Sequence, residues 1–185
     1  MIDGVESGNG TRMNIALLVL RVVVGGLFAG HGAQKLFGWF GGHGLRNTGG
    51  FFESMGFRPG TPMAFVAGGA EFAGGLLLAF GLLLPAAAAM LTGVMVSAIA
   101  AVHWKKGVWN QDGGLEFPLV LATVAFAVAA IGAGRYSLDD AFGIDWHGLW
   151  WALGAVALGT VGGLASLLPG RRPPAQQEHH LREAA

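Results

Sequence analysis

The chain contains no cysteine among its 185 residues. It can therefore supply no disulfide, no thiol nucleophile and no thiolate ligand for an iron–sulfur cluster. Charged residues are also scarce, at 12%, against about 25% in a typical soluble domain. The formal net charge is zero, so the composition gives no reason to expect nucleic-acid binding. The shortage of charge points away from a soluble domain.

Apolar residues make up 53% of the chain, and they fall into five blocks at residues 14–37, 62–84, 86–103, 117–134 and 148–168. At 1.5 Å per residue, about 20 apolar residues cross a hydrocarbon core about 30 Å thick. We therefore predict an all-α integral membrane protein: a four-helix bundle with a fifth transmembrane helix at residues 148–168. Residues 1–13 are a polar N-terminal segment, and residues 169–185 are a polar tail that we expect to be disordered.

Prolines and glycines predict the helix boundaries and contacts. Thr61-Pro62 reads as a cap residue followed by proline at the first helical position, and Pro118 should open the fourth block in the same way. Pro85 separates the second and third blocks with almost no loop, so these helices should form a tight antiparallel hairpin. The motifs Gly26-xxx-Gly30 and Gly159-xxx-Gly163 are expected to bring helices into close contact.

Basic residues outside the blocks predict the orientation in the plasma membrane. With five spans, the side of the N-terminus carries two of them, Arg12 and Arg135. The other side carries seven: Arg46, Arg58, Lys105, Lys106, Arg171, Arg172 and Arg182. The positive-inside rule then places the N-terminus outside and the C-terminus in the cytoplasm. If the fifth block does not span, the count becomes four against five and leaves the orientation open. All six tryptophans lie at block ends, as an interfacial aromatic belt requires.

Polar residues inside the blocks are costly in hydrocarbon and mark a candidate site. In the first block, His31 and Lys35 lie four residues apart on one helical face, and Arg21 lies further back. Glu71 lies near the middle of the second block, where a carboxylate must be protonated, paired or exposed to a hydrated cavity.

Two more polar residues lie at the block ends on the same side. His103 closes the third block, and Glu116 precedes the fourth. In the five-helix topology, both should approach His31 and Lys35 at the cytoplasmic rim, with Glu71 deeper in the membrane. We interpret this convergence as the candidate site.

Structural roles are also open for most of these residues. Lys35 and Arg21 could be anchors whose charged heads reach the interface, and Arg21 could pair with Glu71. Glu116 could stabilise a helix N-terminus, and His103 could be an ordinary interfacial residue.

Several chemistries fit this set of side chains. Imidazole and carboxylate ligands suit a metal, although the Glu-x-x-His spacing of di-iron bundles is absent. Two histidines on different helices could ligate haem. A quinone site needs an apolar slot with a few hydrogen-bond donors and a proton acceptor, and a proton path would use the same residues. The spacing does not choose among these.

Four stretches of the chain resemble the DoxX family. They are GHGAQKLFGWFGGHGLRNTGGFFESMGFRPG (residues 30–60), GAEFAGG (69–75), NQDGGLEFPL (110–119) and GAGRYSLDD (132–140). The resemblance runs from about residue 14 to residue 142, and the fifth block and the tail extend beyond it. The family's recurrent polar positions match Arg21, His31, Lys35, Glu71, His103, Glu116, Arg135 and Asp139.

The resemblance implies a four-helix membrane protein linked to quinone-dependent oxidoreductases. Its implied partners are redox-complex subunits, and in some members superoxide dismutase or a sulfurtransferase. We therefore predict a component of a quinone-linked redox system in which His31 and Glu71 are catalytic. Arg21 or Lys35 would orient the quinone, and His103 and Glu116 would form the entrance.

Two other functions are kept as alternatives. The chain could be a non-catalytic scaffold that recruits soluble redox-stress enzymes, or a proton-coupled carrier of small molecules. Haem or a metal could replace quinone as the cofactor, and the chain could form a homo-oligomer.

Overall fold

The computed structural model describes residues 3–168, with side chains from residue 10 onward. All regular structure in that part of the chain is helical, as predicted. The α-helices are α1 (Asp3–Phe37), α2 (Gly44–Ser54), α3 (Gly60–Phe80), α4 (Leu84–Ala98), α5 (Glu116–Ile131), α6 (Leu138–Phe142) and α7 (Leu149–Ala165). A π-helical turn (Ile99–His103) and a 3-10 turn (Trp104–Lys106) continue α4.

Three helical segments are long and apolar enough to cross a membrane: Gly10–Phe37, Gly60–Phe80 and Leu84–Lys106. The other two predicted spans, α5 and α7, are shorter apolar helices of 16 and 17 residues. At 1.5 Å per residue they measure about 24 and 26 Å. The architecture is that of a helical membrane protein.

Several helix boundaries differ from the predicted ones. Helix α1 begins at Asp3, so the polar segment before residue 14 is helical from that point on. Helix α3 begins at Gly60, which puts Pro62 at its third residue, and the predicted Thr61 cap is wrong. The physical reason is that the Glu53 carboxylate of α2 accepts the hydrogen bond of the Gly60 N–H at 3.1 Å. Pro118 is likewise the third residue of α5 and not its first.

Helices α1 and α3 pack antiparallel through four glycines. Gly25 faces Gly75 and Gly32 faces Gly68, and a Cβ on Gly25, Gly32 or Gly75 would overlap the backbone of the opposite helix. Each helix therefore places two glycines seven residues apart on its contact face. The predicted Gly26-xxx-Gly30 motif does not make this contact, because the space around both of its glycines is open.

Helix α7 packs on α4, and here the predicted motif is confirmed. A Cβ on Gly159 or Gly163 would meet the α4 backbone around Gly93 at about 2.5 Å. The Ser97 hydroxyl adds a polar contact: it lies 3.0 Å from the Gly163 carbonyl oxygen and 3.0 Å from the Ser166 hydroxyl. Close backbone approach and a short hydrogen bond are both typical of helix pairs in membranes.

The alternating helices give the bundle two ends. The α2 end contains the end of α1, α2, and the loop between α4 and α5. The α6 end contains the short α3–α4 turn, which confirms the predicted hairpin, together with α6 and the start of α7. The exposed tryptophans divide three and three between these ends, with Trp39, Trp104 and Trp109 at the first and Trp146, Trp150 and Trp151 at the second. The tail, residues 169–185, lies outside the described residues.

Candidate functional site

Lys35 and Glu71 form an ion pair across the α1–α3 interface. Gly68 makes room for it, because a Cβ there would lie 3.1 Å from the Lys35 Cβ. The Glu71 side chain is 5% exposed and the Lys35 side chain 28% exposed. A buried carboxylate on a membrane-spanning helix needs such a partner, because desolvating an unpaired charge costs several kcal/mol. The pair is therefore hydrogen-bonded, and its lysine is the partly exposed member.

Helix α2 lies over the end of the two helices that carry this pair. Gly49 of α2 lies against Thr61, where a Cβ would meet the threonine hydroxyl at 2.6 Å. Thr48 donates a hydrogen bond to the Gly44 carbonyl at 2.8 Å, and its hydroxyl also lies 3.4 Å from the Lys35 carbonyl. Helix α2 was not predicted from the sequence, because it is short and only partly apolar. Through Thr48 it contacts the backbone of Lys35, the partly exposed member of the pair.

His31 is exposed on α1, and none of the described hydrogen bonds or ion pairs joins it to Glu71. Its Nδ1 lies 3.2 Å from the side-chain oxygen of Gln34. The Gln34 amide in turn donates to the carbonyl of Phe40 at 3.2 Å, which fixes the loop after α1. His31 thus shares an end of the bundle with the ion pair but belongs to a different hydrogen-bonded group.

His103 and Glu116 both stabilise the loop between α4 and α5. The His103 Nδ1 lies 2.6 Å from the Gly113 carbonyl, which can only accept, so this nitrogen carries the proton. The Glu116 carboxylate accepts from the Asn110 backbone N–H at 2.8 Å. The π-helical turn Ile99–His103 shifts the register of α4 just before this contact. In the part of the chain with described side chains, neither residue forms a hydrogen bond or an ion pair with Lys35 or Glu71.

Arg21 lies at the opposite end from the other candidate residues. Its predicted pairing with Glu71 is wrong, because the antiparallel packing brings Arg21 to Gly81 and Lys35 to Glu71. The Arg21 side chain is fully buried, and one guanidinium nitrogen, Nη2, donates to the Tyr136 carbonyl at 2.6 Å. Within residues 10–168, no hydrogen-bond partner contacts its Nε or Nη1. Arg21 is therefore a buried cation and not an interfacial anchor.

Asp139 holds the turn beside Arg21. Its backbone N–H donates to the Gly81 carbonyl at 2.9 Å, and its carboxylate accepts from the Leu83 N–H at 2.9 Å. It also supplies an attractive charge to Arg21. Asp139 is among the positions that match the family, but it was not predicted as part of the candidate site. Only the tertiary fold brings it next to Arg21.

A polar cavity of about 240 Å³ opens at the α6 end. Its lining combines side chains of both charges with backbone from the α5–α6 loop: Asn14, Ile131, Gly132, Ala133, Gly134, Arg135, Ser137, Asp139, Asp140, Ile144, Asp145, Trp146 and His147. Among the described residues, no three His, Asp or Glu side chains group closely enough to hold a metal ion.

Comparison with known proteins identifies part of this architecture. The DoxX family model matches residues 16–104, which run from α1 through α4 and its π-helical turn to Trp104. The match ends before the segments 110–119 and 132–140, which the resemblance had included. No curated protein and no solved structure matches the chain at a significant level. The matched segment contains both Arg21 and the Lys35–Glu71 pair, and it supports the membership of this helical membrane protein in the DoxX family.

Proposed function

We propose that this protein is a component of a quinone-linked redox system in the plasma membrane. The observation that carries the proposal is the Lys35–Glu71 ion pair between two membrane-spanning helices. A bound quinone would supply the redox chemistry by accepting two electrons and two protons. The protein's own contribution would be to bind the head group and to move protons to and from it.

The geometry supports Lys35, and not Arg21, as the residue that orients the head group. Lys35 is partly exposed beside α2, and its ammonium group has donors beyond the one that contacts Glu71. Arg21 lies fourteen residues away on the same helix, about 21 Å along its axis, and is closed in at the other end. Glu71, buried and already hydrogen-bonded, is the proton-exchanging group in this proposal.

Access to the pair is expected from the α2 end alone. Between Lys35 and Arg21, the α1–α3 interface consists of the glycine contacts and of buried apolar side chains such as Phe28 and Leu78. Such a tightly packed interface offers no continuous polar route across the bundle. His31, His103 and Glu116 lie at the α2 end, where they would line the approach to the pair.

Quinone extraction and an optical spectrum of the purified protein in detergent test the proposal. We expect the wild-type protein to carry quinone, and Glu71→Gln and His31→Ala to reduce or abolish its retention while circular dichroism shows the helices intact. Glu53→Gln is the matched control, since that carboxylate lies at the same end but binds the Gly60 N–H. It should retain quinone. A wild-type preparation free of quinone would overturn the proposal and favour a scaffold that recruits soluble enzymes, to be tested by partner pull-down.

A further inference from the structure

The α6 end of the bundle carries two unfavourable features that touch the same short segment. Arg21 is fully buried, and its Nε and Nη1 find no hydrogen-bond partner in the part of the chain whose side chains are described. Leu83 has a left-handed backbone with φ 49 and ψ 52, which is costly for a residue with a branched side chain. Residues 134–142, which we call the latch segment, cover Arg21 and bind Leu83.

The main polar attachment of the latch segment is Asp139. This is the one buried residue of α6, whereas Phe142 is 68% exposed and Asp140 is exposed. Asp139 binds the Gly81 carbonyl and the Leu83 N–H and provides the charge that faces Arg21. Further attachments include the Tyr136 carbonyl on Arg21 and the Arg135 N–H, which donates to the side chain of Asn14 at 3.0 Å.

Most side chains of this segment are exposed or half-buried, so its opening is opposed by few buried apolar contacts. Closure holds a cation away from water with two donors unsatisfied, and opening lets water reach those donors. The helices beneath are held separately, by the glycine contacts of α1 with α3 and by the apolar core. The segment can therefore leave its site while the bundle stays folded.

We propose that the latch segment is a conformational device that Asp139 closes over Arg21 and that opens independently of the helix bundle. Opening admits water to Arg21 and joins its surroundings to the polar cavity beside it. The latch segment connects the DoxX-matched residues to the part of the chain that follows them. Arg21, Gly81 and Leu83 lie within residues 16–104, whereas their partners Tyr136 and Asp139 lie beyond it. The device uses none of the residues of the Lys35–Glu71 site and does not depend on the proposed function.

The absence of cysteine allows a direct test with single-cysteine reporters. Leu17→Cys lies beneath the latch segment, because Leu17 is 6% exposed and contacts Gly134. Ala88→Cys lies in the core of the helix bundle, where Ala88 is 2% exposed. A third reporter, Ala133→Cys, adds only a sulfur atom at a buried position next to the segment and replaces Leu17→Cys if that variant misfolds. The rate of reaction with a water-soluble maleimide is measured for each in detergent.

We expect Leu17→Cys to react faster than Ala88→Cys. Adding Asp139→Asn should raise the labelling rate of Leu17→Cys about tenfold or more, because removing one charged partner destabilises the closed position of the segment by a corresponding amount. The rate of Ala88→Cys should stay unchanged. Asp140→Asn, a charge removal on the exposed neighbour, should change neither rate.

Equal rates at Leu17→Cys and Ala88→Cys, rising together in Asp139→Asn, would show that this end opens only with the whole bundle and would overturn the proposal. Equal effects of Asp139→Asn and Asp140→Asn would overturn it as well.

Discussion

Lys35 and Arg21 are two cations on one helix whose surroundings give them different roles. Lys35 has a carboxylate in direct contact and remains partly exposed. Arg21 has a carbonyl for one nitrogen and only a nearby carboxylate for its charge. Because an unpaired charge in an apolar environment is destabilising, the partner and the exposure of each cation decide what it can do. Lys35 is thus available to a ligand at the α2 end, whereas Arg21 is closed in at the α6 end.

The energy of the Lys35–Glu71 pair is measurable with a double-mutant cycle. Glu71→Gln leaves the lysine without its counter-charge, and we expect the free energy of unfolding to fall by about 1–3 kcal/mol. The double variant Lys35→Met with Glu71→Gln should lose less than the sum of the single variants, because no charge is left unpaired. Unfolding titrations with SDS in mixed micelles provide the values. Additive losses would mean that the two side chains are not energetically coupled.

Gly81 and Gly143 offer a matched pair of substitutions at the α6 end. Both have left-handed backbones, with φ 63 and φ 68, but only Gly81 lies against the Arg21 guanidinium, and the space around Gly143 is open. For Gly143→Ala, the free energy of unfolding should therefore fall by about 1 kcal/mol, because a residue with a Cβ is strained on a left-handed backbone. For Gly81→Ala, the free energy of unfolding should fall by about 2–4 kcal/mol, because the added methyl group also displaces the Arg21 side chain. The same unfolding titrations measure both variants. Equal losses of unfolding free energy would contradict the close contact between Gly81 and Arg21.

At the scale of helices, glycine position decides which faces meet. In a membrane, helices associate through close packing and hydrogen bonds, since the lipid tails are as apolar as the side chains. Helices α1 and α3 use glycines seven residues apart for this purpose, and α7 uses glycines four residues apart against α4. A small-residue motif is therefore a poor guide to the contact until the partner helix is known.

Two neighbouring glycines of α1 test this assignment. We expect Gly32→Val to disrupt the bundle, because its side chain would overlap the α3 backbone at Gly68 and Phe72. Gly30→Val should change the unfolding free energy by no more than about 0.5 kcal/mol, because nothing lies near that position. The fraction of each variant that elutes as folded protein in size-exclusion chromatography provides the readout. The opposite order would show that α1 meets α3 through the Gly26–Gly30 face.

At the scale of the whole molecule, the number of spans decides the topology. The alternating helices place Lys105 at the α2 end and Tyr136 at the α6 end, so α5 connects the two ends of the bundle. Ser97 near the end of α4 contacts Ser166 just after α7, so α7 returns the chain to the α2 end. The end richer in lysine and arginine is then the α2 end, which we propose to be cytoplasmic.

Labelling of intact cells tests this topology. Tyr136→Cys should react with a membrane-impermeant maleimide added outside, whereas Lys105→Cys should react only after the membrane is permeabilised. A tag at the C-terminus should behave like Lys105→Cys if α7 spans. Tagged protein accessible from outside would show that α7 does not span, and labelling of both cysteines from one face would show that α5 does not.

Sequence alone determined the class of protein and most of its helices. Low charge, five apolar blocks and tryptophans at their ends leave few alternatives to a helical membrane bundle, because a span of given thickness fixes how many apolar residues are needed. The Pro85 hairpin and the Gly159–Gly163 contact also followed from local features. The short helices α2 and α6 did not, since neither carries an apolar run long enough to be distinguished from a loop.

The partners of the charged residues were decided only by the tertiary structure. His31, Lys35, Glu71, Arg21, His103 and Glu116 were all recognisable as costly or interfacial positions, yet the sequence could not show which of them meet. The antiparallel register of α1 and α3, fixed by Gly25 with Gly75 and Gly32 with Gly68, joins Lys35 to Glu71 and sends Arg21 to Asp139. A membrane environment makes every buried charge require a partner, but only the packing of backbone on backbone determines which partner it finds.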